Sequence, residues 1–422
     1  RPCNTNSLHD LFAAMARRKP TDTGCARSAA FGGVSALVLL VVLQSSQEAN
    51  FLQKLEPVAA IESSSPPRPA PAPVRRVVSA TPTSPPTLIT PTVNTQISPP
   101  EPPKIEVKDV PVSGSDEERR VLEVVKKRAG LYLDKGAHPE FSHVVLLTAA
   151  NFAYFEIYQN WRCNAERHGL DWAVIANDEE AFERLGSDRA LLAIGEKVSG
   201  MNGWGSAKLD SVGRNKMFMV LTIMRTSGLG VVFSDADNMF RGDPFSKGVH
   251  LGDLIRSEKY DYVYQEELAK APDKNHVVPG DGGNTGFFYA TPRLNKKVIS
   301  FFAAVVAEVD RQREESFRKH GERLGADQPI FWQVVQVLRS TGGKAGPGGF
   351  KCVRLCNQNP TCQAETEDTL QYCSMNAFMH PTGWDDPPTE RVTYHANYAA
   401  NNDKIAKLEK AGVWNAWSKT TE

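Results

Sequence analysis

An α/β fold on a mostly parallel sheet flanked by helices is predicted for residues 116–422 by three observations. Short apolar runs bounded by breakers recur along this stretch. Between them lie segments whose apolar residues fall at helical spacing. Strand, helix, strand, helix, strand in that order marks a mostly parallel sheet. The third observation is the position of two carboxylates. The run Val231-Val232-Phe233, after the turn signal Ser227-Gly228-Leu229-Gly230, ends in Asp235 and Asp237. Ligands of open α/β sheets gather at the carboxyl ends of strands.

The N-terminal part cannot carry such a fold. Arg17, Arg18, Lys19 and Arg27 precede an uncharged stretch, residues 28–47, whose centre from Val34 to Leu43 is strongly apolar. About twenty such residues just span a bilayer. Their basic flank keeps residues 1–27 on the cytoplasmic side. An uncleaved anchor is expected rather than a signal peptide, since no small-x-small site follows. Met15 reads as the start, with residues 1–14 upstream of it. Residues 48–115 are rich in Pro, Ser and Thr, with Pro66-Pro67, Pro85-Pro86, Pro99-Pro100 and Pro102-Pro103. Such a composition buries no core and favours extended backbone, as in a stem that holds a domain away from a membrane.

Residues 116–129 form a charged helix with an apolar face of Val121, Leu122 and Val125. Residues 143–148 are the first strand, followed by a helix over 154–168. Residues 171–176 are the second strand, and Asn177-Asp178 caps the helix after it. Residues 191–194 are a third strand. Residues 213–226, with Met217, Val220, Leu221 and Met224 on one face, form the helix that feeds the carboxylate strand. Beyond the elbow, residues 260–264 and 285–290 read as strands, with a glycine loop at 280–284 before the second. Residues 298–309 form a helix, and residues 327–338 another that starts with Asp327 and has Pro329 in its first turn.

The chain of 422 residues carries 49 basic and 49 acidic side chains. That balance points away from nucleic acid as a partner. Cys352, Cys356, Cys362 and Cys373 cluster in a short Asn/Gln-rich segment with Pro360, residues 352–373, without paired Cys-x-x-Cys units. A disulfide-stapled loop is expected there, with the pairing open, and not a zinc site. Cys163, in a helical pattern, is expected to be a buried thiol.

Asp235 and Asp237 offer hard oxygen ligands for a divalent cation that also grips phosphate. A solvated turn is the plain alternative, since Asp and Asn are common turn residues. Other stretches join the pair in a fixed order: DADNMFRGDPF, YDYVYQ, PGDGGNTGFFYA, GADQPIFWQVV, then YHANY with Lys404 downstream. In that order they resemble the nucleotide-diphospho-sugar transferases of glycosyltransferase family 77, which act on plant and algal walls. The likeness spans residues 143–414.

That resemblance implies a GT-A fold with a Rossmann-like sheet. It also implies a divalent metal, Mn2+ or Mg2+, and a UDP-sugar donor of xylose, arabinose or galactose. It further implies retention of configuration and a glycan or hydroxyproline-rich glycoprotein acceptor. By similarity, Asp235, Asp237 and His395 bind the metal, and Lys404 approaches the diphosphate. Gly283 and Asn284 line the donor sugar, Asp327 and Gln328 sit beside the anomeric carbon, and Thr148, Ala149 and Asn151 hold the nucleoside. A nitrogen ligand from His395 suits Mn2+ better than Ca2+. Lys216 and Arg214, one helix upstream of the elbow, are further donor contacts, and Trp204 and Trp384 are candidate sugar-stacking rings. The expected setting is a type II Golgi membrane protein with its catalytic domain in the lumen.

Two other classes compete. Asp-x-Asp after a strand also marks aspartyl-phosphate phosphatases, although Met239 stands where those carry Thr or Val. A non-catalytic sugar-binding or scaffold protein could use the same fold.

Overall fold

The structure is a computed structural model that describes residues 116–203, 205–267, 282–356, 366–399 and 401–414. The expected anchor and stem, and Trp204, lie outside the described residues. No described helix is long and apolar enough to cross a membrane.

Helix α1 (Asp116–Arg128) carries acidic residues in its first turn and basic ones in its last, and buries Val121, Val124 and Val125. This charge order complements the helix dipole. The alternating units follow: β1 (Val144–Ala150), α2 (Phe155–Arg167), β2 (Ala173–Ala176), α3 (Glu179–Leu185), β3 (Ala190–Leu192), α4 (Ala207–Ser227) and β4 (Gly230–Ser234). A short strand β5 (Asn238–Phe240) and helix α5 (His250–Arg256) lead to β6 (Tyr262–Glu266) and β7 (Gly283–Ala290). Then come α6 (Lys297–His320), α7 (Asp327–Ser340), β8 (Cys352–Leu355), β9 (Thr369–Ser374), β10 (Thr393–His395) and α8 (Asn401–Lys410).

Eight strands form one sheet in the order β3-β2-β1-β4-β7-β6-β9-β8. Only β7 runs antiparallel to its neighbours β4 and β6; the other pairings are parallel. The sheet is thus mostly parallel, as the alternation of elements implied. Both of its faces are buried, because successive side chains of a strand point to opposite sides. In β1, Val145 and Leu147 join one apolar cluster, and Val144 and Leu146 join the other.

Several boundaries differ from the sequence reading for local reasons. Helix α4 begins at Ala207, well before residue 213, because the Ser206 hydroxyl accepts the Leu209 amide as an N-cap at 3.2 Å. It stops at Gly228, which adopts φ 69 and closes the last turn. Helix α6 runs past residue 309 to His320 because its polar turns are tied by Arg311–Glu315 and Lys319–Glu315 pairs at i,i+4. The expected glycine loop ends earlier than its composition suggests, since Gly283 and Asn284 already belong to β7.

The cysteine segment is not simply a loop. Cys352 lies in β8 and Cys373 in β9, the two strands that close one edge of the sheet. Cys356 pairs with Cys373, tying the end of β8 to β9. Cysteine spacing carries no signal for strand pairing, so that placement was not readable beforehand. Cys163 is buried in α2, outside any disulfide.

Candidate active site

Two strands bring the expected metal ligands together. The turn after β4 presents Asp235 and Asp237. β10 pairs antiparallel with β5, and His395 stands opposite Asn238. Residues 157 positions apart in the chain thereby become neighbours across one ladder. His395 Nε2 lies 3.3 Å from Asp237 Oδ1 and 3.9 Å from Asp235 Oδ2. One ligand atom from each residue falls within 4.8 Å of the others.

Gly286 makes this approach possible. The Asp235 amide donates to the Gly286 carbonyl at 2.6 Å. A Cβ at Gly286 would sit 2.3 Å from Asp235 Oδ2, 2.6 Å from His395 Cε1 and 2.7 Å from Asn284 Oδ1. Only glycine leaves that space. A glycine inside a strand often marks such close approach, and the NTGFF stretch carried that signal.

The orientation of His395 is set by Gln265. The Gln265 Nε2 group donates to the carbonyls of His380 and Pro381, so its Oε1 faces His395 Nδ1, 3.0 Å away. Nδ1 must then be the donor, and Nε2 is the nitrogen turned to the two carboxylates. Partners of this kind fix the tautomer of a metal-binding imidazole. Gln265→Leu is expected to weaken Mn2+ binding by about 10- to 100-fold. Calorimetric titration of the purified chain with Mn2+ reads this, and an unchanged affinity would remove Gln265 from the site.

The remaining groups surround the triad in a cleft of about 550 Å³. Lys404 on α8 donates its ammonium to Asp237 Oδ2. Burial alone would lower its pKa, but the Asp237 charge and hydrogen bond outweigh that and raise it. Burial would raise the Asp237 carboxyl; Lys404 and then His395 outweigh it and hold the group well below the usual carboxylate range. Asp235 goes the other way, raised first by burial, with Lys216 opposing and Asp237 adding to the rise.

On the α7 side, Lys216 Nζ lies 2.6 Å from Asp327 Oδ2 and donates to the Thr285 carbonyl and hydroxyl. Burial lowers the Lys216 pKa, yet the Asp327 and Asp235 charges more than reverse it. The Thr285 hydroxyl also donates to Asp327 Oδ2 at 2.8 Å, and the Thr285 amide to Gln328 Oε1 at 3.1 Å. Gly213 lets α4 pass close by, since a Cβ there would lie 2.4 Å from Asp327 Oδ1.

The cleft lining includes ten of the expected site residues: Ala149, Asn151, Lys216, Asp235, Asp237, Asn284, Asp327, Gln328, His395 and Lys404. Thr148 and Gly283 do not line it. Thr148 is fully buried in β1, one residue before the strand opens onto the cleft at Ala149. Gly283 lies against the rings of Tyr264 and Trp332, and its carbonyl accepts the Trp332 indole N–H. Asn151 is partly structural, because its amide donates to the carbonyls of Val198 and Gly200. Arg214 pairs instead with Asp310 on α6. Trp384 is buried edge-on against Phe378.

Sequence reading missed Gly286, Gln265, Thr285, Glu267, Tyr154 and Tyr398. Glu267 sits one residue past β6 and accepts from Asn284 and Asn397. Nothing in the local sequence separates it from its neighbour Glu266.

Charge decides what the cleft can hold. Among the described residues its lining carries four carboxylates, Asp235, Asp237, Glu267 and Asp327, against two ammonium groups, Lys216 and Lys404. This excess would repel a diphosphate. A divalent cation at the triad removes that repulsion, and two carboxylates with one imidazole are a fitting donor set for Mn2+. The space beside Gly286 and the Nε2 turned to the carboxylates fit such an ion as well.

Residues 171–408 match the nucleotide-diphospho-sugar transferase family. No curated protein matches the chain. Among solved structures, the glycosyltransferase GlyE of Streptococcus pneumoniae TIGR4 is similar at 12% identity and a TM-score of 0.33, covering 66% of this chain and 63% of that one. Its apo form is similar at 13% identity and a TM-score of 0.27, covering 46% of this chain and 43% of that one. The chain thus spans less than two thirds of either structure.

Proposed function

The chain belongs to the nucleotide-diphospho-sugar transferase family, and from that premise we propose that it is a metal-dependent, retaining transferase using a UDP-sugar. The proposed donor carries xylose, arabinose or galactose, and the acceptor is a glycan or glycoprotein. One observation carries the reading: Asp235, Asp237 and His395 converge in the same cleft as Lys404 and the Lys216–Asp327 pair.

Asp235, Asp237 and His395 would hold the cation. When bound, it supplies positive charge to both phosphates of the departing UDP. Lys404, kept protonated by Asp237, adds a second positive group for the diphosphate. Ala149 and Asn151, at the open end of β1, line the nucleoside side. Asp327 is anchored by Lys216 and Thr285, so its carboxylate is held still beside the sugar. There it stabilises the positive charge that develops at the anomeric carbon, as a carboxylate does in glycosidases. The oxygen of Gln328 is engaged by the Thr285 amide, which leaves its NH2 to donate to a sugar hydroxyl.

We place residues 116–422 in the Golgi lumen, behind an anchor at 28–47 and a stem at 48–115. The Cys356–Cys373 disulfide favours an oxidising compartment. A phosphatase would need Asp235 free as a nucleophile, whereas here it shares an elbow with an imidazole and a second carboxylate. A purely binding role leaves the buried Lys216–Asp327 pair without a use.

The test is UDP release by the full chain, purified in detergent, from UDP-xylose, UDP-arabinose, UDP-galactose and UDP-glucose. Release from at least one donor is expected with Mn2+ and none with EDTA. Silence on every donor with Mn2+ present would defeat the assignment.

A further inference from the structure

We propose that Glu267 and Tyr398 form the acceptor subsite, and that it takes a pyranose ring of a glycan. This inference rests on the transferase reading above and adds the substrate class.

The sheet order separates two ends of the cleft. β4, which leads to the metal elbow, stands between β1 on one side and β7 and β6 on the other. Ala149 lies near the end of β1 and Asn151 directly follows it. Glu267 follows β6 and is bound to Asn284 of β7. A donor with its nucleoside over β1 and its phosphates at the elbow leaves the β6 end for the second substrate.

Glu267 is half-buried and, among the described residues, is held by neutral donors. Asn284 Nδ2 and Asn397 Nδ2 each donate to one of its oxygens. No cation among the described residues pairs with it. A carboxylate accepts at about four positions, so Glu267, which lines the cleft, keeps capacity for a further donor. Burial, then the neighbouring Glu267 carboxylate, push the Tyr398 phenol up, so it stays protonated.

Tyr398 is 54% exposed, although it lines the cleft. Its φ of 54 is unusual for a non-glycine residue and is held by its surroundings. Below the ring lies Gly383, where a Cβ would fall 2.4 Å from Tyr398 Cδ2. Lys407 Nζ donates to the carbonyls of Gly383 and Asn397 and so clamps both supports of the ring. A supported aromatic face beside a carboxylate with spare acceptor capacity suits a ligand with an apolar C–H face and hydroxyls at its edge. A pyranose has both. A hydroxyproline peptide has one hydroxyl, and that hydroxyl must react.

Two measurements on the purified full chain test this. Saturation-transfer NMR with methyl xyloside, galactoside and glucoside needs no donor. Transfer to ring C–H protons of at least one pyranoside is expected, lost in Tyr398→Ala and recovered in Tyr398→Phe. In turnover with that pyranoside, Tyr398→Ala and Glu267→Gln are each expected to raise the acceptor KM about ten-fold, or about 1.4 kcal/mol. No transfer to any pyranoside, or binding of a hydroxyproline peptide alone, overturns the proposal. So does a Tyr398→Ala effect on the donor KM, which would make the ring a nucleobase platform. Pyranoside binding without any UDP-sugar turnover would instead defeat the transferase reading and leave the sugar subsite standing.

Discussion

Asp237→Ala is expected to lower kcat/KM for the sugar nucleotide by about a thousand-fold, equal to about 4 kcal/mol of barrier. Three groups lose their partner at once. Asp237 is a proposed ligand of the triad, it holds Lys404, and it faces His395 Nε2 at 3.3 Å. The Lys404 ammonium, raised by that carboxylate, would be left buried without it. Mn2+ affinity, measured separately by calorimetry, should fall in the same variant. Lys404→Met is the comparison: it should raise the donor KM while Mn2+ still binds, because it removes a diphosphate contact and no ligand. If Asp237→Ala turns over the donor at the wild-type rate, the elbow is not the metal site and the proposed mechanism fails.

Gly286→Ala adds one methyl group and should cost turnover about 100-fold, the usual effect of a displacement near 1 Å in a catalytic group. The new Cβ would stand 2.3 Å from an Asp235 oxygen and 2.6 Å from a His395 carbon. Both ligands would have to move, and they must move apart. Gly286 lies in β7, between β4 and β6, so the backbone cannot easily yield. Overpacking of this kind lowers stability by about 1–3 kcal/mol, so thermal melting accompanies the kinetics. Loss of activity with a folded, slightly less stable chain is the expected pattern. Wild-type Mn2+ affinity in Gly286→Ala would show that the glycine serves packing alone.

Most of the strand and helix order was legible because each element announces its own period. The runs at 144–150 and 230–234 are apolar and bounded by turn residues, and both became central strands. Strands β8 and β9, at one end of the sheet, were not legible, since a segment rich in Cys, Asn and Gln looks like a loop until β6 offers it a partner. Helix ends depended on single caps such as Ser206, and a cap shifts a boundary by several residues.

Of the residues that line the cleft, those with distinctive chemistry were named from the sequence: the two carboxylates of the elbow, the imidazole, Lys404, Lys216 and the Asp327–Gln328 pair. Their supports were not. Gln265 and Thr285 act only through groups far away in the chain, as their bonds to His395 and Asp327 show.

The amino-acid sequence by itself determined the α/β alternation, the carboxylate elbow after β4 and the helix-start position of Asp327, because each depends on neighbours within a few residues. Tertiary structure alone decided that His395 reaches the elbow, that Glu267 and not Glu266 enters the cleft, and that Thr148 and Gly283 do not line it. Those outcomes depend on strand register, and one residue of register turns a side chain to the opposite face of the sheet. Register is set by which strands pair, and pairing joins segments that local sequence does not connect.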